Sequence, residues 1–176
     1  LKARPKDWRD GIDVVAMDGF SGFKTASVEE LPEAVEVMDP FHVVKLAGDA
    51  LDEVRRRIQQ ETTGHRGRAT DPLYRARRTL HTGADLLTAK QQERIVSLFA
   101  DANFTAVEVT WAVYQDIVSA YRTNDGNEGT KLLQSVIDDL TTNLPTGLVE
   151  LKRLGRTLKR RAADVLALFT RPGTSN

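Results

Sequence analysis

The sequence predicts an α+β fold that is mostly α, and three observations predict it. Two short β-branched segments lie near the start. From Phe41 onward the apolar residues recur at helical spacing, and no strand-like run follows Met38.

The first segment, residues 11–17, is apolar, short and bounded by polar residues or glycine, which predicts a buried strand. Asp18-Gly19 closes it, and residues 20–23 read as a turn. Over residues 25–32, Ser27 stands three positions before Glu30, a capping-box spacing that predicts a short helix. Residues 35–38 form the second strand, stopped by Asp39-Pro40. Strand, helix, strand implies a parallel pair with a crossover helix.

Val44, Ala47, Leu51, Val54 and Ile58 then make one apolar stripe, a helix of about five turns. Residues 62–71 are a polar loop, and a shorter helix covers 72–80 with Pro72 in its first turn. Thr88 caps a helix reaching about Ala100, with Ile95, Leu98 and Phe99 inward. Phe104, Val107, Trp111, Tyr114, Val118 and Tyr121 form the clearest stripe, which reads as core. Residues 124–129 are a turn. Leu132, Leu133, Val136, Ile137 and Leu140 define the next helix. After Pro145 and Gly147 one long last helix turns Leu151, Leu154, Leu158, Val165 and Phe169 inward.

With 176 residues, 40% hydrophobic and 28% charged, the chain can bury a real core. It has neither the run of about 20 apolar residues that a membrane span needs nor a signal peptide. The absence of Cys excludes a disulfide framework and thiolate metal sites, and it fits a cytoplasmic protein. Basic and acidic residues balance at 25 each, so contact with nucleic acid would use local basic faces. The start at Leu1 and the loop-like 171–176 suggest an excised segment.

Asp18 is the first candidate for chemistry. A carboxylate at the carboxyl end of a buried parallel strand points into the crevice where α/β sheets place ligands. Beside Gly19 it also reads as a turn residue or cap. Asp39 reads as the cap of the following helix, and His42 as a hydrogen-bonded histidine at its start or a phosphate contact. His65 and His81 lie in or near polar loops without metal-site spacing. Gly19-Phe20-Ser21-Gly22 lacks the lysine of a phosphate loop and the spacing of a nucleophile elbow. Two basic clusters, Arg55, Arg56 and Arg57, and Lys152, Arg153, Arg156, Lys159, Arg160 and Arg161, read as solvated faces or as phosphate contacts.

The run Val14-Val15-Ala16-Met17-Asp18-Gly19-Phe20-Ser21-Gly22-Phe23, then Leu31-Pro32-Glu33-Ala34, then Val37-Met38-Asp39-Pro40-Phe41-His42-Val43-Val44-Lys45-Leu46, resembles the ISL-three family of bacterial DDE transposases. The match is dense over about residues 12–60. The resemblance implies a partial RNase-H-like core at 1–45 and a helical insertion domain at 46–176. It implies DNA as partner, with Mg²⁺ or Mn²⁺ in the parent protein and none held by the fragment. Asp18 then matches the family's second catalytic aspartate and is a metal ligand, with Asp39 and His42 a supporting motif. The first aspartate is expected before Leu1 and the glutamate after Asn176; Glu128 is set aside for that role. Arg55, Arg56, Arg57, Lys152, Arg153, Arg156, Lys159 and Arg160 are the expected DNA-binding residues. The fragment alone is then inactive, and self-association through exposed strand edges is open. The rival readings are a non-catalytic helical module that binds DNA or protein, and a small flavodoxin-like regulator, which would need more strands.

Overall fold

The structure, a computed structural model, describes residues 1–19 and 21–171, with the backbone alone at Ser21. Phe20 and the 172–176 end of the loop-like tail lie outside the described residues.

The α+β, mostly helical class holds. Two parallel strands, β1 (Val14–Met17) and β2 (Val35–Met38), pair in register from Val14 with Val35 to Met17 with Met38. Around them stand α1 (Lys6–Asp10), α2 (Ser21–Glu30), α3 (Pro40–Thr63), α4 (Pro72–Ala76), α5 (Ala89–Phe99), α6 (Thr105–Arg122), α7 (Gly126–Thr142), α8 (Val149–Arg160) and α9 (Ala162–Thr170).

The central element is α3. The Asp39 carboxylate accepts from the Phe41 N–H at 2.8 Å, Pro40 occupies the first turn, and Gly64 ends the helix at φ 74°. Its 24 residues make it about 36 Å long, longer than the stripe predicted. The helix packs on α6 and α8, so two of its faces are covered. That is why the buried set includes Val43, Ala50, Arg55 and Gln59 as well as the predicted Ala47, Leu51, Val54 and Ile58, while Val44 is only half-buried. Next, α7 packs on α6, α8 on α7, and α9 on β2 and α7. The chain crosses residues 45–46 inside α3 without a break.

Local sequence rules held where the signal was short-ranged. Thr88 and Gln91 form the reciprocal capping box of α5, with Ile95 and Leu98 buried beneath it. Four expectations need correction, and one element was missed. Residues 21–23, expected in a turn, are instead the start of α2, so Ser27 sits inside that helix, fully buried, and cannot cap it. The short α1 was not foreseen; Arg9 ties it to Glu30 of α2 at 2.7 Å. The 72–80 helix is two pieces, α4 and a 3-10 turn over Thr79–His81. The turn at 124–129 is already helix, because Asp125 accepts from the N–H groups of Asn127 and Glu128 and starts α7 at Gly126. The long last helix is two helices broken at Arg161, whose side chain turns inward instead of lying on the solvent face.

At Gly155 helices α7 and α8 meet. A Cβ there would stand 2.7 Å from the Leu140 Cβ and 2.8 Å from the Leu140 carbonyl oxygen. Backbone cannot yield as a side-chain tip can, so Gly155→Val is expected to cost about 3 kcal/mol, read as a lower urea midpoint.

Asp52 joins α3 to the 3-10 turn. Its carboxyl is held at about 2, from 3.8, by the His81 hydrogen bond first; burial opposes the shift and Arg55 adds to it. A carboxylate with a depressed folded pKa stabilises the fold above about pH 4, and that contribution drains away as pH falls toward 2. Asp52→Asn is therefore expected to lower stability at neutral pH by about 1 to 2 kcal/mol and flatten its decline across that window, measured by urea titrations from pH 5 to pH 2.

Candidate functional site: the carboxyl end of the strand pair

Because β1 and β2 are parallel and paired without offset, the residues that follow them, Asp18 and Asp39, leave the same end of the sheet. The Asp39 N–H donates to the Met17 carbonyl at 2.9 Å, extending the ladder one step beyond the strands. Asp18 is exposed there, while Asp39 is half-buried and its carboxylate is engaged by the Phe41 N–H. One turn into α3, the His42 ring lies against Gly19, so closely that any Cβ at position 19 would collide with the imidazole. That contact gives Gly19 a physical role: the strand end and the helix start share space that only a glycine leaves open.

Tyr121 of α6 approaches the same end. Burial first, and then the Asp39 charge, pushes its phenol well above the ordinary tyrosine value, and its hydroxyl has no hydrogen-bond partner among the described residues. Its ring stacks on Phe169 at 5.4 Å.

Two residues that sequence reasoning left out, Lys24 and Asp164, converge here with Arg161, which it read as part of a basic face. Arg161 donates from Nη1 to the Gly19 carbonyl at 3.3 Å and from Nε to Asp164 at 2.6 Å. Lys24 of α2 reaches both Asp164 oxygens, at 2.7 and 2.9 Å. Lys24, Arg160 and Arg161 line a cleft of about 660 Å³ that opens at Gly19.

The residues fit one corner of a divalent-cation site. Asp18 offers an exposed carboxylate, yet no group of three or more His, Asp or Glu able to hold a metal occurs among the described residues. They do not complete such a site.

The two basic clusters separate sharply. Arg55 is buried, bonded to Asp52 at 3.1 Å and Gln59 at 3.4 Å. Arg56 is exposed and pairs with Asp52. Arg57 holds Glu150 at 2.7 and 3.1 Å and Glu61 at 3.3 Å. Burial alone would raise the Glu150 carboxyl, but Arg57, a backbone hydrogen bond and the Arg153 charge together hold it below its ordinary value. Arg153 pairs with Glu53. Lys152, Arg156 and Lys159 differ: exposed on α8, they line a groove of about 610 Å³ whose other wall is residues 140–149, with no acidic residue in the lining. None of the three has an ion-pair partner among the described residues.

A transposase family model, of the DDE type and ISL-three group, matches residues 1–176. The chain belongs to that family. A search of curated proteins and a search of solved structures each returned no match. For a transposase the exposed strand-end Asp18 and the α8 groove stand out, since one offers a carboxylate and the other a row of cations without an ion-pair partner among the described residues. Glu128 lies in the first turn of α7 and accepts from the Thr123 hydroxyl at 2.9 Å. No helix among the described residues is long and apolar enough to cross a membrane.

Proposed function

We propose that residues 1–176 are part of a longer cytoplasmic DDE transposase that cuts DNA at the ends of an insertion sequence and joins the freed 3′-hydroxyl to target DNA. The observation that carries this reading is the position of Asp18: an exposed carboxylate at the end of a parallel strand, beside the Asp39 and His42 motif, in a chain whose whole length matches the family. In this reading residues 1–45 belong to an RNase-H-like core and 46–176 to a helical insertion, with α3 shared between them.

Asp18 is one ligand for Mg²⁺ or Mn²⁺, and the other two acidic residues come from outside these 176. When bound, such ions activate a water or hydroxyl and stabilise the leaving oxygen. The residues described here do the rest of the positioning: Gly19 and His42 set where the strand ends, and Asp39 fixes the start of α3. The fragment alone does not cut.

DNA is held through its phosphates. Of the candidate basic residues, Lys152, Arg156 and Lys159 support this best, because an unneutralised cation releases counterions on binding a phosphate and a paired one gains much less. Arg160 contributes beside Lys24 at the second cleft. Arg56 and Arg153 contribute only by exchanging an acidic partner for a phosphate, and Arg55 and Arg57 chiefly hold the helices together.

The test is incubation of the full-length protein with linear duplex carrying the element's end, with Mg²⁺ or Mn²⁺ and without. Metal-dependent nicking at the element boundary supports the proposal. Salt-sensitive binding with no cleavage under any metal would favour a non-catalytic DNA-binding module instead.

A further inference from the structure

Arg161 is the single residue that separates α8 from α9, at φ −111° and ψ 16°, and it is 8% exposed. A guanidinium buried that deeply destabilises the fold unless its donors are met. They are met in specific directions. Nε reaches Asp164 at 2.6 Å, Nη1 reaches the Gly19 carbonyl at 3.3 Å, and Nη2 lies 3.8 Å from the Met17 sulfur. Arg161 therefore touches the residues on either side of Asp18. Its own orientation is set by Asp164, 3% exposed, which Lys24 of α2 also grips. These contacts run from the end of β1 through Arg161 and Asp164 to Lys24 of α2, and so reach residues on both sides of Asp18 in the chain.

Fastening α9 to the sheet would not require this. Val165 is fully buried in the core, and α9 packs along β2. A buried ion pair is often matched or exceeded in stability by apolar residues of similar volume. A planar fork adds direction: it fixes peptide and side-chain orientation at several points at once. Met17 is held from its side chain and Gly19 from its carbonyl, and on its other contact Gly19 meets the His42 ring.

We propose that Arg161 is a positioning residue for the reaction: through Met17 and Gly19 it fixes the direction in which Asp18 projects, and it thereby couples the helical region to the strand end. This rests on the reading of Asp18 as a reactive-site carboxylate.

Two variants of the full-length protein test it, Arg161→Lys and Asp164→Asn. Lysine keeps a cation for Asp164 but cannot also reach Gly19; the asparagine leaves the guanidinium without its charged orienter. Each is expected to lower kcat for cleavage of element-end duplex about 10- to 100-fold while KM for that DNA stays within about two-fold. Amide hydrogen exchange at residues 17–19 should accelerate in both by more than the accompanying fall in melting temperature accounts for. Parental kcat together with parental exchange overturns the proposal while leaving the Asp18 reading intact. If both variants fail to fold, Arg161 serves stability alone, and the proposal is again overturned. An Asp18→Asn protein that cuts normally would instead defeat the reading beneath it.

Discussion

Asp18→Asn in the full-length transposase is expected to reduce cleavage of element-end DNA by about 10³-fold or more, with DNA affinity and folding unchanged. The size follows from what the change removes. Asparagine keeps the shape of the side chain and its capacity to accept a hydrogen bond, and it removes the negative charge that a divalent cation needs. The neutrality of the fold follows from where Asp18 sits. It is exposed, and the ladder at this point is held by backbone, from the Met17–Met38 pair to the Asp39 N–H on the Met17 carbonyl. An exposed substitution that keeps the side chain's shape and its acceptor oxygen usually moves stability by less than about 0.5 kcal/mol.

Asp39 makes the contrast. Its carboxylate caps α3 through the Phe41 N–H, so Asp39→Ala should cost about 1 kcal/mol through that cap, whatever it does to the reaction. Two adjacent strand-end aspartates thus separate by readout, one in rate and one in stability. Parental cleavage by Asp18→Asn would leave Asp18 a strand-end residue and remove the central assignment.

The sequence made this end of the molecule legible because each signal there is local. A strand of β-branched residues, an Asp-Gly stop, an Asp-Pro cap and the apolar spacing of α3 depend on neighbours a few positions away. Thr88 and Gln91 were readable for the same reason. The start of α2 was not, since no Ser27 cap marks it and the helix begins six residues earlier.

Arg161 was the largest loss. Within Lys152 to Arg161 it looks like one more member of a solvated stripe, and the residue that explains its burial, Gly19, lies 142 positions away. Arg55 was obscured in the same manner: three consecutive arginines look equivalent until a helix covered on two faces turns one inward, one toward Glu150 and one to solvent. Periodicity locates an apolar stripe; it does not reveal which polar side chains a second packing partner will cover.

That sorting of the arginines carries the second large expectation. Changing Lys152, Arg156 and Lys159 together to Gln should weaken duplex binding about 10²-fold near physiological salt and flatten the dependence of log K on log[salt] by about 2 to 3. From Lys152 to Lys159 the helix rises about 10 Å, the axial reach of about three phosphates along one strand. All three lie on the exposed face of α8, with the Leu151, Leu154 and Leu158 stripe buried behind them, so their removal leaves the core intact. A matched change of Arg55 to Gln should behave in the opposite way. It leaves the salt slope alone and destabilises the fold, because its loss strips a buried partner from Asp52 and Gln59. Fluorescence anisotropy of a labelled duplex across a salt series reads both slopes, and urea unfolding reads the stabilities. An unchanged slope in the triple variant would remove the α8 groove as the DNA face and return the search to Arg160 and Lys24 at the cleft beside Gly19.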